Sequence, residues 1–268
     1  MLKSFDAKTA VEDIICWLEN YKYQTKCKGV VLGISGGKDS TVVAMLAKKV
    51  WGDNVIGILM PNGEQADLQD SLDIVYTLNL KHKTVNIGNA YSEIIDGINK
   101  GYIVSGYDDN NCPNAWDNIS VSEKGKTNIA PRLRMLTLYA IAQSFGYQVI
   151  GTGNATERYL GWFTKWGDGA CDLNPIGHLK CSDVIEIGKL LAKEFDLPLK
   201  YIVKIPSDGL TGKSDEDNFG FTYKEAEKVM DGKESEVSKD HLLKITEMHI
   251  SSNHKRKAVP IIQMHTLN

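Results

Sequence analysis

The chain has 268 residues, 42% hydrophobic and 24% charged, the balance of an ordinary globular protein. Its formal net charge of -3 provides no global positive field, which argues against nucleic acid as a partner. No apolar run reaches the length of a membrane span, and Met1-Leu2-Lys3-Ser4-Phe5-Asp6 lacks the layout of a secretory leader, so the expectation is a cytoplasmic protein that does not engage membranes.

The first predicted element is a helix over about residues 5–24, with Ala10, Ile14, Ile15, Trp17, Leu18 and Tyr21 at helical spacing and Asp6 as its cap. Val30-Val31-Leu32 reads as a buried strand, and Thr41 to Ala47 as the first turns of a helix. A second strand, Val55 to Met60, ends at the turn Pro61-Asn62-Gly63. A helix over 65–79, a short strand over 83–87 and a helix over 91–98 follow. Strands alternating with helices imply βαβ units and an α/β fold: a doubly wound, mostly parallel sheet with helices on both faces. No linker or repeat interrupts the chain, so residues 1–268 are expected to form one domain.

Residues 99–127 break the rhythm with Gly, Asp, Asn and Ser and predict an irregular excursion. A helix is predicted over 129–145, with Pro131 in its first turn and Leu133, Leu136, Ala140 and Ile141 inward. That boundary puts Arg132 and Arg134 at the positive end of the helix dipole, where a cation is misplaced. Tyr147 to Ile150 is a strand running into Gly151-Thr152-Gly153-Asn154-Ala155-Thr156-Glu157, a near miss for the dinucleotide fingerprint because Thr156 replaces its last glycine. The aromatic and glycine-rich stretch from Leu160 to Asp172 suits a loop over a ligand. Helices are expected over 181–195, 223–230 and 239–250, with a candidate lid over 206–220 and a basic cluster at His254-Lys255-Arg256-Lys257. The five cysteines (Cys16, Cys27, Cys112, Cys171, Cys181) form no CxxC pair, which favours reduced thiols over a disulfide framework or a zinc site.

The chemistry concentrates in Gly33-Ile34-Ser35-Gly36-Gly37-Lys38-Asp39-Ser40. A glycine turn between a strand and a helix N-terminus offers backbone N–H groups and the helix dipole to an anion. A Walker A loop requires Ser or Thr after its lysine, whereas Asp39 follows Lys38 here. A carboxylate inside a phosphate cradle implies a cation, and Mg²⁺ prefers one or two carboxylates with phosphate oxygens. Glu157 lies close enough to a second strand end to be the other carboxylate; the alternative is a helix-start acid paired with the dipole.

The S-G-G-x-D-S loop, Pro131-Arg132-Leu133-Arg134-Met135, Gly151 to Glu157, Phe163-Thr164-Lys165-Trp166-Gly167-Asp168-Gly169 with Asp172, Asp215-Glu216 and His254-Lys255-Arg256 together resemble the ammonia-dependent NAD synthetases, within the N-type ATP pyrophosphatase superfamily. The resemblance implies a Rossmann-like fold, ATP and Mg²⁺ as cofactors, deamido-NAD and ammonia as substrates, and a homodimer. By it, Gly33, Ile34, Ser35, Gly36, Gly37, Lys38, Asp39, Ser40 and Thr152 would contact ATP, and Asp39 and Glu157 would hold the metal. Arg132, Lys165, Asp172, His254 and Lys255 would contact the dinucleotide, with Asp39 and Lys165 catalytic. Relatives carry an ATP-contacting lysine where Cys181 aligns, with Lys180 adjacent, and a threonine where Ser207 retains the hydroxyl. Two rivals share the loop: a synthetase acting on another acceptor, such as a guanylate or a tRNA base, and a regulatory module that holds ATP without turnover.

Overall fold

The computed structural model describes residues 5–64, 68–100, 103–104, 107–108, 119–204 and 214–262. Asp6 opens α1 (Ala7–Thr25), its carboxylate accepting the Lys8 amide at 3.2 Å. The inward positions of α1, Val11, Ile14 and Leu18, are buried. β1 (Val30–Gly33) leads into α2 (Lys38–Trp51), and β2 (Val55–Leu59) pairs in parallel with β1, Val30 opposite Val55. α3 (Leu68–Thr77) precedes β3 (Lys81–Thr84), the parallel partner of β2. After α4 (Gly88–Lys100) comes a small antiparallel pair, β4 (Ile103–Val104) and β5 (Tyr107–Asp108). α5 (Glu123–Phe145) then returns the chain to β6 (Gln148–Val149), on the far side of β1. The main sheet has the order β3-β2-β1-β6.

The second half is helical: α6 (Ala155–Leu160), α7 (Cys181–Glu194), α8 (Lys200–Val203), α9 (Asp215–Phe219), α10 (Tyr223–Met230), α11 (Lys239–Ser251) and α12 (Asn253–Arg256). Alternation along β1 divides the core. Val30 and Leu32 pack with α1, α2 and α7, whereas Val31 packs with Ile58, Val149 and the α5 residues Ala130, Leu133 and Ala142. Both sheet faces are therefore covered, which is why β1 reads as an unbroken apolar run. The expected doubly wound parallel sheet is thus present. A further apolar cluster joins α6 to the C-terminal helices around Phe219, whose ring lies 4.6 Å edge-on to Trp162 and 5.2 Å stacked on Phe221. Among the described residues no helix is long and apolar enough to cross a membrane.

Three local expectations are corrected. α5 begins at Glu123 rather than 129, because the Ser122 hydroxyl accepts the Gly125 amide at 3.2 Å and caps it there. Pro131 is therefore interior, where it removes one intrahelical hydrogen bond, and Arg132 and Arg134 lie mid-helix rather than at its positive end. Leu136 and Ala140 face solvent, and the helix face packed on the sheet carries Ala130, Leu133 and Ala142 instead. The third strand occupies Lys81–Thr84, two residues upstream of the predicted span, because its register sets Lys81 opposite Ile56. Val85 still donates to Leu59 O at 2.8 Å, so the alternating stretch 83–87 follows β2 to its end. Of the predicted lid, residues 206–213 lie outside the described residues, and the remainder opens with α9.

Candidate active site

β1 and β6 end side by side, yet the chain continues from β1 towards β2 and β3 and reaches β6 from the opposite side. Such a switch point leaves a crevice beyond the strand carboxyl ends, where α/β sheets bind ligands. Here it is a cavity of about 350 Å³. Gly33, Ile34, Ser35, Gly37, Lys38 and Asp39 line it from β1, and Ile150, Gly151, Thr152 and Glu157 from β6.

The loop after β1 is tied by its own side chains. The hydroxyls of Ser35 and Ser40 lie 3.1 Å apart, the Ser40 hydroxyl donates to Gly37 O at 3.1 Å, and the Ser35 hydroxyl accepts the Gly37 amide at 3.3 Å. Gly36 adopts φ +79°, and a Cβ there would meet Asp70 Cβ and Ser71 Oγ at 3.2 Å, so only glycine fits without strain. Gly37 is the N-cap of α2 and supplies no side chain to it. The first-turn amides of a 14-residue helix thus face the crevice without a side-chain cap, in the arrangement that suits phosphate.

Four polar side chains meet at the floor. Lys38, 3% exposed, places Nζ 2.7 Å from Asp39 Oδ2. The other oxygen, Asp39 Oδ1, accepts from Asn154 Nδ2 at 3.2 Å. Asn154 caps α6 reciprocally with Glu157: its side chain accepts the Glu157 amide at 2.9 Å, and Glu157 Oε2 accepts the Asn154 amide at 3.0 Å. Burial works against the Lys38 charge, but the Asp39 carboxylate beside it outweighs that and raises its pKa. Burial first, and then the negative charge of Asp39, push the Glu157 carboxyl up to about 8. Two carboxylates facing one crevice, each unfavourable to the other, with only oxygen donors, match what a hard divalent cation requires. Among the described residues no cluster of three or more His, Cys, Asp or Glu side chains is suited to a metal, so phosphate or water oxygens would complete the shell.

The walls include residues that pattern reading did not select. Arg134 donates from Nε to Met60 O at 3.1 Å and lines the cleft, as does Lys204, whose Nζ is 2.7 Å from Asp70 Oδ2. Asp215 lines it too, accepting the Tyr223 hydroxyl at 2.8 Å, and the Tyr223 ring lies 5.9 Å from Lys38 Nζ. The misplaced-charge argument names Arg134, but on a helix boundary that the structure corrects, and the Asn154–Glu157 spacing is a legible capping box. Lys204 and Tyr223 arrive from distant elements and carry no local signal, whereas Asp215-Glu216 is among the motifs that carry the resemblance.

Four of the predicted dinucleotide residues, Arg132, Lys165, His254 and Lys255, gather around the loop from Gly161 to Gly169, whose Gly167 and Asp168 line the cavity. Lys255 donates to Gly161 O at 2.7 Å and Phe163 O at 2.6 Å, and Lys165 donates to His254 O at 2.8 Å. Arg132 reaches Lys165 O at 3.4 Å, which closes the group. Asp172 sits beneath β6, accepting the Val149 amide at 2.7 Å and the Tyr139 hydroxyl at 3.2 Å. None of these five lines the cavity, whereas Thr152 does. Lys180 pairs with Asp231, and Cys181 is buried in the helical cluster with its thiol pushed up to about 12 by burial; neither lines the cavity. Ser207 lies outside the described residues.

The NAD synthase family model matches residues 10–259. The chain belongs to the NAD synthase family. It is therefore a ligase. The NH(3)-dependent NAD(+) synthetase of Carboxydothermus hydrogenoformans is 36% identical over 98% of this chain and 100% of its own length. That of Finegoldia magna is 36% identical over 92% of each. Among solved structures, the NMN synthetase of Francisella tularensis superposes with a TM-score of 0.83 at 36% identity, covering 97% of this chain and 100% of its own. The NH3-dependent NAD synthetase of Campylobacter jejuni gives 0.73 at 27% identity, with the same coverage. Full-length similarity to ammonia-dependent relatives places this chain with the ammonia-using members of the family.

Proposed function

We propose that the chain joins ammonia to the nicotinate carboxylate of deamido-NAD, at the expense of ATP cleaved to AMP and pyrophosphate. The observation that carries this reading is the switch-point crevice, where an α2 N-terminus without a side-chain cap faces Asp39 and Glu157 in a chain of this family. The amides from Ser35 to Ser40 receive the ATP phosphates, and Arg134 and Lys204 add positive charge to the walls. Asp39 and Glu157 would hold Mg²⁺, which when bound neutralises charge on the phosphates. The acceptor carboxylate displaces pyrophosphate from the α-phosphorus, giving an acyl adenylate. Ammonia adds to the acyl carbon, loses a proton, and AMP departs with the C–O bond electrons. Positioning and electrostatics supply the rate, and Asp39 and Lys165 are the residues assigned to catalysis.

The group Arg132, Lys165, Asp172, His254 and Lys255 is assigned to the dinucleotide, and all but Asp172 are already linked around the Gly161–Gly169 loop. The same reading includes a homodimer, for which the exposed Leu136 and Phe145 of α5 offer apolar surface, and a cytoplasmic location, in keeping with the free thiols of the described cysteines. The test is AMP and pyrophosphate release from Mg-ATP with deamido-NAD and ammonium. NAD formed with one AMP and one pyrophosphate supports the reading; no acceptor-dependent release overturns it.

A second acceptor has a specific observation in its favour: the NMN synthetase of Francisella tularensis shares 36% identity and superposes at 0.83. Nicotinate mononucleotide presents the same carboxylate without the adenylate half. Competition between the two acceptors, with amide products separated by chromatography, decides which carries the higher kcat/KM.

A further inference from the structure

The position between Gly37 and Asp39 in the phosphate loop holds a lysine, and its side chain does not point to solvent. Lys38 is 3% exposed, lies against the face of Tyr223 and places its ammonium 2.7 Å from Asp39 Oδ2. The second Asp39 oxygen is engaged by Asn154 Nδ2 at 3.2 Å. Asn154 also donates its own amide to Glu157 Oε2 at 3.0 Å. The two carboxylates proposed for the metal are thus held by chain donors, and one of those donors is a full positive charge.

A divalent cation approaching Asp39 must displace or adjoin that ammonium. Like charges at such a separation repel, and the Lys38 side chain is itself buried. ATP changes the balance, because its phosphate oxygens offer Lys38 alternative acceptors beside the same loop and bring negative charge of their own. Both Lys38 and Asp39 line the cavity, so the ammonium and entering phosphates would share one space.

We propose that Lys38 is a built-in counter-ion that bars a free divalent cation from Asp39 and yields only when ATP phosphates draw its ammonium away, so that metal enters with the nucleotide rather than before it. The inference rests on the assignment of Asp39 and Glu157 to the metal in the function proposed above. It defines Lys38 as the residue that sets the order of binding, distinct from a general phosphate contact.

The test is Mn²⁺ binding followed by electron paramagnetic resonance on the full chain, with and without α,β-methylene-ATP, in the native protein and in Lys38→Gln. The native protein is expected to bind Mn²⁺ at least ten-fold more tightly with the analogue than Mn²⁺ binds the analogue alone, and negligibly without it. Lys38→Gln is expected to bind Mn²⁺ without nucleotide at least ten-fold more tightly than the native protein. Tight nucleotide-free binding by the native protein overturns the inference while leaving the metal assignment standing, and needs no variant. Equal weak binding by both proteins without nucleotide also overturns it, provided circular dichroism shows the variant folded. If the variant does not fold, Lys38→Arg, which keeps the charge, is compared with the native protein: it must retain the nucleotide requirement, and loss of that requirement overturns the inference. Absence of protein-bound Mn²⁺ even with the analogue overturns the metal assignment and the inference together, whereas acceptor-dependent AMP release reports on the function separately.

Discussion

Replacing Glu157 by Gln tests whether the crevice stores electrostatic strain. The substitution keeps the Asn154 capping box, since Gln serves at that position as Glu does. It removes a carboxyl whose pKa rises from 4.5 to about 8 on folding, through burial and the charge of Asp39. A raised carboxyl destabilises the fold as pH climbs from the unfolded value to the folded one, because the unfolded chain ionises first. At ~1.4 kcal/mol per pH unit, the full span gives a ceiling of about 5 kcal/mol. Glu157 keeps part of its surface open to the crevice, and water there screens the charge, so about 2 kcal/mol is the expected gain of the variant over the native protein between pH 5 and pH 8. For a chain of this size that is a relative rise in Tm of roughly 5 °C. Thermal unfolding of both proteins, free of nucleotide and metal, measures it at several pH values. Parallel pH curves for the two proteins would refute the reasoning, and the carboxyl would then be an ordinary helix-start acid.

Other outcomes are expected from the same geometry. Asp39→Asn should lower turnover by at least ~100-fold, the scale of losing one key electrostatic group, with an unchanged far-ultraviolet dichroism spectrum; near-normal turnover would remove Asp39 from the catalytic assignment. Gly36→Ala forces a side chain onto φ +79° against Asp70 and Ser71, and should cost about 1 kcal/mol in denaturant unfolding while weakening ATP binding in calorimetry. Glu225, which accepts the Thr222 amide at 2.9 Å and lies 2.8 Å from His241 Nδ1, has its pKa lowered by those contacts. Its stabilisation is present above the unfolded value of 4.5 and is lost as pH falls through the lower folded value. Glu225→Gln should therefore be less stable than the native protein at pH 7, and the gap should close as acidification proceeds below 4.5, as read by urea midpoints.

Much of this molecule is legible from local pattern. The run Val30-Val31-Leu32 followed by Ser35-Gly36-Gly37 announces a buried strand delivering a backbone cradle, because β-branched residues, glycines and an adjacent helix start each have short-range physical preferences. The spacing of Asn154 and Glu157 likewise encodes a cap within one turn. Boundaries were less legible where a cap overrode pattern, as Ser122 did in starting α5 ahead of Pro131. Tertiary structure alone decided which distant residues share the crevice. Lys204 reaches it just after α8, whose Tyr201 and Ile202 pack in the main core, and Asp215 through the packing of α9 onto the second apolar cluster, a long-range outcome that no window of sequence contains. It also gathered Lys165, His254 and Lys255 at the Gly161–Gly169 loop, where Lys255 donates to the carbonyls of Gly161 and Phe163 and Lys165 to that of His254. The partner of Lys38 was decided in the same way: a lysine in a glycine loop reads as a phosphate ligand, and only burial beneath Tyr223 turns its ammonium onto Asp39.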